Sequence, residues 1–172
     1  MDGKHVYDMI VVGGGPGGYT AALYAARSGL DTLVLEKLSA GGQMALTEAI
    51  DNYPGFEEGI DGFTLAEKMQ RQAERFGAKS EYAEVERVDL AASPKVLETS
   101  AGVFYGRTVV LATGAGPREL GLANEAALTG RGVAYTARPA TGCATAAGRW
   151  SSWAGATPPP GTRWRSAEWP KR

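Results

Sequence analysis

The sequence predicts an α/β fold in three layers, with a central parallel sheet, helices packed on it and an antiparallel β-meander. Three observations predict it. The β-rich run Tyr7-Asp-Met-Ile-Val-Val12 drives into Gly13-Gly14-Gly15-Pro16-Gly17-Gly18 and then into the helix-prone Tyr19-Thr-Ala-Ala-Leu-Tyr-Ala-Ala-Arg27, which reads as strand, tight turn and helix. A second β-rich run, Thr32-Leu-Val-Leu35, ends on an acid, Glu36, about twenty residues after the glycines. Short β-rich segments at 84–90, 96–99 and 103–105 then come in series, the pattern of a crossover meander. Together these features describe a Rossmann-like, nucleotide-binding domain.

Each element has its own warrant. In a strand-turn-helix setting Gly13 permits the turn, Gly15 lets backbone approach a pyrophosphate, and Gly18 lets the helix pack close to the strand. The helix N-terminus then faces the phosphates with free N–H groups and the positive end of its dipole. Gly29 stops this helix, and Glu36 stands where an acid accepts hydrogen bonds from ribose hydroxyls. A second helix is predicted where Ala66, Met69, Ala73 and Phe76 share one face at three- and four-residue spacing. On its solvated face stand Glu67, Lys68, Arg71, Glu74 and Arg75, with Glu67 and Arg71 at pair spacing. Strands near Met9, Leu33 and Val110 are expected to form the parallel core.

Composition bounds the function classes. With 172 residues, 44% of them apolar, the chain holds one domain's worth of core. A formal charge of -1 gives no global bias toward polyanions, so nucleic acid is not an expected partner. The first eight residues hold two acids and the apolar run at 9–12 is too short for a secretory signal; no stretch is long enough to cross a membrane. A cytoplasmic location is the expectation. One cysteine, Cys143, excludes an internal disulfide, and a free thiol is the default for it. The only histidine, His5, falls where the N-terminus is expected to fray, which argues against a catalytic role. No catalytic residue and no metal ligand set are assigned.

The segment after the second strand narrows the dinucleotide. Glu36-Lys-Leu-Ser-Ala-Gly-Gly-Gln43, with Thr47 and Asn52-Tyr-Pro-Gly-Phe56, resembles the low-molecular-weight thioredoxin reductases, in which these two loops wrap FAD. The resemblance continues through Val109-Val-Leu-Ala-Thr-Gly114, Pro117-Arg118-Glu-Leu-Gly121 and Gly130-Arg-Gly-Val-Ala-Tyr135. One departure is Ala123-Asn124-Glu125, where a Pro-Gly-Glu turn is usual. The resemblance implies FAD contacts at Gly13, Gly15, Pro16, Gly18, Glu36, Lys37, Gly42, Gln43, Asn52, Val85, Thr113 and Gly114. A turn-forming role is the plainer reading of Asn52, and the resemblance sets it against the flavin instead. Family members are homodimers that also use NADPH and serve a thioredoxin-like protein; no residue pattern here carries dimerisation.

After Tyr135 the composition changes. All four tryptophans and five of the nine prolines lie there, with Arg138, Arg149, Arg163, Arg165, Lys171 and Arg172 against one acid, Glu168. The family's next residues are Cys-Ala-Thr-Cys-Asp-Gly, a redox pair and its acid, whereas this chain has Thr136-Ala-Arg-Pro-Ala-Thr-Gly142. Written as codons, residues 135–142 are TAY ACN GCN CGN CCN GCN ACN GGN. Read from the third base of the first codon they become YAC NGC NCG NCC NGC NAC NGG, which permits Tyr-Cys-Ala-Thr-Cys-Asp-Gly. In the same shifted frame Arg149-Trp-Ser-Ser-Trp-Ala-Gly-Ala-Thr157 admits Val-Val-Val-Val-Gly-Gly-Gly-Asp-Ser, at the spacing of the family's NADPH-binding glycine loop. The expectation is therefore an N-terminal FAD-domain part over 1–135 and an irregular, out-of-frame tail over 136–172. The competing reading is a genuine basic arm, since Arg and Trp together bind anionic surfaces or nucleic acid.

In the family, a later segment completes the FAD domain, so an incomplete domain with an exposed sheet edge and a half-open cleft is expected. Three functions remain open on the sequence. The first is a thioredoxin-reductase-type FAD fragment that is inactive alone, for want of dithiol and NADPH domain. The second is a dithiol-lacking, NADPH-dependent flavoprotein reductase. The third is a non-catalytic FAD or ADP binder.

Overall fold

In the computed structural model, which describes residues 4–116, 119, 121–129 and 133, the first apolar run forms β1 (Val6–Val12) inside a six-stranded sheet. Its C-terminal half is buried on both faces. Ile10 and Val12 point into one core with Leu33, Leu35, Ala83 and Leu97, while Val11 points into another with Tyr19, Ala22, Val34, Ala66 and Ala73. A strand buried on both sides needs a continuous apolar run rather than alternation, which is why it was legible. β2 (Thr32–Glu36) lies parallel to it, paired from Met9 with Thr32 to Val12 with Leu35.

Helix α1 (Pro16–Arg27) connects these strands and buries Ala22, Ala25 and Ala26. It ends in a Schellman motif: the Gly29 N–H donates to the Ala26 carbonyl and the Leu30 N–H to the Ala25 carbonyl, with Gly29 at φ +80°. Helix α2 (Gly62–Arg75) repeats that ending at Gly77 and begins on an Asp61 cap, whose carboxylate accepts the Thr64 N–H at 2.8 Å. Its inner face carries Ala66, Met69 and Ala73 as expected. Phe76 departs from that face. It is the C-cap residue, 41% exposed, and its ring lies beneath the guanidinium groups of Arg75 and Arg27 at 5.1 and 5.6 Å. On the outer face Arg71 and Glu67 pair at 3.2 Å.

Two features of the sheet differ from the expectation. β3 (Lys79–Tyr82) is a fourth parallel strand, beside β2 at the sheet edge. Three of its residues are exposed, so it shows no apolar run. The meander strands are β4 (Val85–Asp89), β5 (Lys95–Thr99) and β6 (Gly102–Leu111). Here the segments around 104 and 110 form one strand: β6 pairs antiparallel with β5 over 102–106 and parallel with β1 from Tyr105 to Leu111. Meander and parallel sheet thus share β6, in the order β3-β2-β1-β6-β5-β4. At the shared point a Cβ on Gly106 would lie 3.0 Å from the Ile10 side chain.

Below β1, His5 is held rather than frayed. Its Nε2 lies 2.7 Å from Asp31 Oδ2, and its ring meets Tyr7 edge-on. Lys79 Nζ reaches the other Asp31 oxygen at 3.0 Å, and Arg107 pairs with Asp8 at 3.1 Å.

The chain divides into Met1–Gly116 and Pro117–Arg172. Of the second unit, the described part contains one short helix, α3 (Glu125–Leu128). Asn124 precedes it at φ +66°, where the resemblance implies a glycine; Asn tolerates the left-handed region better than most residues. The expected boundary at 135, the tail at 136–172 and Cys143 lie outside the described residues, as do Pro117 and Arg118.

Candidate dinucleotide site

The glycines after β1 separate into two kinds. Gly13 sits at φ +106°, and a Cβ there would come within 2.4 Å of the Ala112 carbonyl oxygen at the end of β6. A Cβ on Gly18 would lie 1.8 Å from the Gly13 carbonyl oxygen, so only a bare backbone lets α1 start this close to the turn. At Gly15 nothing lies within 4 Å, and the backbone opens to solvent. Gly13 and Gly18 are thus closed by packing, and Gly15 is open.

The electrostatics derive from the same backbone. Gly15 is the N-cap of α1 and supplies no side-chain cap; Pro16 opens the helix, and no acid stands in its first turn. The first-turn N–H groups therefore face the opening with the helix dipole behind them. Beside them the Glu36 carboxylate accepts the Gly14 N–H through Oε2 at 2.5 Å and the Lys37 N–H through Oε1 at 2.9 Å. Each carboxylate oxygen keeps a lone pair for a further donor, such as a ribose hydroxyl.

Loops from the second and sixth strands brace this centre. The Gly41 N–H donates to the Gly14 carbonyl at 2.8 Å, which seats the 3₁₀ turn Gly42–Leu46 beside the glycine turn. Gly41 needs φ +102°, and a Cβ there would lie 2.4 Å from Ala66 Cβ. Gln43 reaches across from this turn, its Nε2 3.5 Å from the Ala115 carbonyl. Thr113 and Gly114 are exposed in the same post-β6 loop, Gly114 at φ +71°.

The other expected contacts are placed more loosely. Lys37 is next to Glu36, but its ammonium is engaged by Glu84 at 2.6 Å. The Val85 side chain packs against the lower core, which leaves its backbone as the part able to meet a ligand. That backbone starts β4 just after Ala83, whose N–H donates to the Glu36 carbonyl at 2.8 Å. Asn52 is exposed in a shallow hollow formed by residues 51–57, where the Tyr53 and Phe56 rings lie 6.1 Å apart, tilted by 49°. Gly42 is exposed at the start of the 3₁₀ turn.

Three participants lie outside the expected set of contact residues. Gly14 supplies the N–H that anchors Glu36, and Gly41 joins the two loops. Tyr19, 1% exposed, lies under the turn, where burial pushes its phenol up to about 12 and the nearby Tyr82 and Glu36 add to the rise. Gly41 carried a usable signal, a glycine pair between strand and helix; Gly14 and Tyr19 carried none. Among the described residues no group of His, Cys, Asp and Glu could hold a metal ion, and no helix is long and apolar enough to cross a membrane.

The opening lies at the C-terminal ends of β1, β2 and β6. Chain order reverses between β1 and β6, because β2 and β3 were added on the other side of β1. Ligands of open α/β sheets bind at such a switch point. An uncapped helix start, an open Gly15 and an anchored carboxylate fit the ADP portion of a dinucleotide, and with the meander they define a flavoprotein-type nucleotide-binding domain. Residues 7–140 match the family described as pyridine nucleotide-disulphide oxidoreductase, and the chain belongs to that family.

Within it, the similarity is to thioredoxin reductases. The chain is 43% identical over 134 residues to that of Listeria monocytogenes and 46% identical over 134 residues to that of Streptomyces coelicolor. Those alignments cover 78% and 77% of this chain but 42% of each relative, so the chain spans about two fifths of their length. Among solved structures, a thioredoxin reductase from Gloeobacter violaceus superposes with a TM-score of 0.64 at 45% identity, covering 74% of this chain and 40% of that one. The family binds FAD and depends on NADPH.

Proposed function

We propose that this chain is the FAD-binding part of a thioredoxin reductase and that it does not reduce disulfides on its own. The observation that supports the reading is the division of labour among the glycines: Gly13 and Gly18 are closed by packing while Gly15 stands open above an uncapped helix start. In this reading the pyrophosphate rests on the backbone at 15–18, Glu36 holds the adenosine ribose, and Lys37 and the Val85 backbone flank the adenine side. Pro16 presets the first helical residue, and Gly42, Gln43, Asn52, Thr113 and Gly114 lie toward the flavin.

When bound, the flavin would relay electrons from NADPH toward a disulfide. The chain's own residues hold and orient it. They cannot take the next step, because disulfide exchange needs a dithiol and Cys143 is the only cysteine. In the intact enzyme the electrons would go on to a thioredoxin-like partner.

The tail is read as out-of-frame translation, supported by the agreement of two family motifs and their spacing in one shifted frame. Sequencing the gene past the codon of Gly142 tests this directly: a single continuous frame without the alternative motifs would sink it. Binding is tested by titrating the full chain with ADP and FAD. Because Gly42, Gln43, Asn52, Thr113 and Gly114 stand exposed on the flavin side, purified protein should be nearly colourless and gain a modest thermal shift with excess FAD. A stoichiometric yellow flavin peak surviving gel filtration, or NADPH-dependent thioredoxin reduction, would refute the reading.

A further inference from the structure

The phenol of Tyr19 is an unused donor beside the site. The residue is 1% exposed, and its hydroxyl oxygen has no hydrogen-bond partner; neither has the buried Ser80 Oγ next to it. Ser80 is near enough to temper the rise in the phenol's pKa, yet neither hydroxyl meets a hydrogen-bond partner. A buried hydroxyl without a partner forfeits the hydrogen bonds it had in water, so such a group calls for a role. Its location supplies one. A Cβ on Gly14 would lie 2.7 Å from Glu36 Oε2, 3.0 Å from Tyr19 Cε2 and 3.2 Å from the Tyr19 hydroxyl oxygen, so carboxylate and phenol edge meet the same side of the turn. The hidden donor and the Glu36 carboxylate thus share one side of Gly14.

We propose that Tyr19 is a positioning residue for Glu36, its phenol donating to the carboxylate through one water and holding it toward the ribose hydroxyls of a bound nucleotide. The inference rests on the reading of Glu36 as the ribose acid. With its pKa near 12 the phenol stays protonated, and therefore a donor, at working pH. It acts on the ribose contact alone, because it lies beneath the turn and not in the pyrophosphate opening.

The test uses the full chain and two probes, ADP and 2′,3′-dideoxy-ADP, which differ only in the hydroxyls that Glu36 would accept from. Tyr19→Phe should weaken ADP binding about three- to tenfold, the worth of one hydrogen bond, and leave dideoxy-ADP unchanged. In a Glu36→Gln background the same substitution should have little further effect. Equal losses for both nucleotides, or none for ADP, would overturn the inference. Ser80→Ala provides a second arm: it should keep or raise the preference for ADP, because the Ser80 hydroxyl lies beside the phenol without being part of its link to Glu36. A loss of preference matching that of Tyr19→Phe would mean the phenol works through Ser80, against the proposal. If the unaltered chain binds neither nucleotide, the functional reading falls first and this inference with it; if it binds both equally, only the ribose role of Glu36 falls, and the role of Tyr19 with it.

Discussion

Two alanines placed three residues apart in one glycine turn should behave in opposite ways. Gly15 has φ −76° and ψ −179°, a conformation open to any residue, and nothing lies within 4 Å of a Cβ there. Gly15→Ala should therefore leave the melting temperature unchanged or raise it slightly, since replacing glycine at a compatible position contributes roughly 0.4–1 kcal/mol through the unfolded chain. Its methyl would stand in the space a phosphate must enter to reach the first-turn N–H groups. Losing one charge-assisted bond there costs about 1.5–3 kcal/mol, or roughly a ten- to hundredfold weaker ADP complex. Gly18→Ala meets the opposite situation, because its Cβ would lie 1.8 Å from the Gly13 carbonyl oxygen, which is backbone and cannot swing aside. Either α1 moves off the turn or the fold fails, a loss of more than about 3 kcal/mol. Thermal denaturation with an ADP titration of each variant separates the outcomes. A destabilised Gly15→Ala that binds normally, or a Gly18→Ala as stable as the parent, would refute the assignment of roles.

How far such detail was readable in the sequence depends on where each residue sits. β1 and β2 declared themselves because both of their faces are buried, and the end of α1 because Gly29 must take positive φ. β3 did not, because an edge strand with one neighbour buries too little to need apolar residues. β6 was read as two pieces: Gly106, Arg107 and Thr108 interrupt its apolar pattern, the first because Ile10 occupies the space of a side chain. Phe76 kept the helical spacing of the inner face yet lies at the helix end, where the chain turns away and two arginines cover the ring. In the glycine turn, the crowding at Gly13 and Gly18 and the openness at Gly15 derive from local geometry that the strand-turn-helix pattern already carries. Tyr19 was not legible, since its ring reads as ordinary helix core and only the tertiary fold sets its hydroxyl under Gly14.

The remaining expectations concern single groups. Glu36→Ala should weaken ADP binding by about 1–3 kcal/mol and also lower stability, because the Gly14 N–H loses its acceptor; unchanged affinity with the fold intact by circular dichroism would remove Glu36 from the site. Asp31 is held below the usual carboxylate range chiefly by its bond from Lys79, with His5 adding to it, and Lys79 is raised in return by Asp31. Stability from Asp31 is therefore present above its unfolded pKa and lost as pH falls through the lower folded value, while that from Lys79 is lost as pH rises through its raised value. Asp31→Asn should thus lower the melting temperature slightly at neutral pH, by less than about 1 kcal/mol for so exposed a cluster, and match the parent in strong acid; an equal effect at both extremes would point to packing instead. The tail gives the last test. If residues 136–172 are out-of-frame, they were never selected to pack, and Trp150, Trp153, Trp164 and Trp169 are large apolar groups in no periodic setting. A chain ending at Tyr135 should then be at least as soluble as the full chain and no less stable. Restoring the frame should add the dithiol and the NADPH loop together, and with them NADPH-dependent disulfide reduction. Blue-shifted, quencher-protected tryptophan fluorescence in the full chain, with a clear loss of stability on truncation, would make the tail a selected structural element and end the frameshift reading.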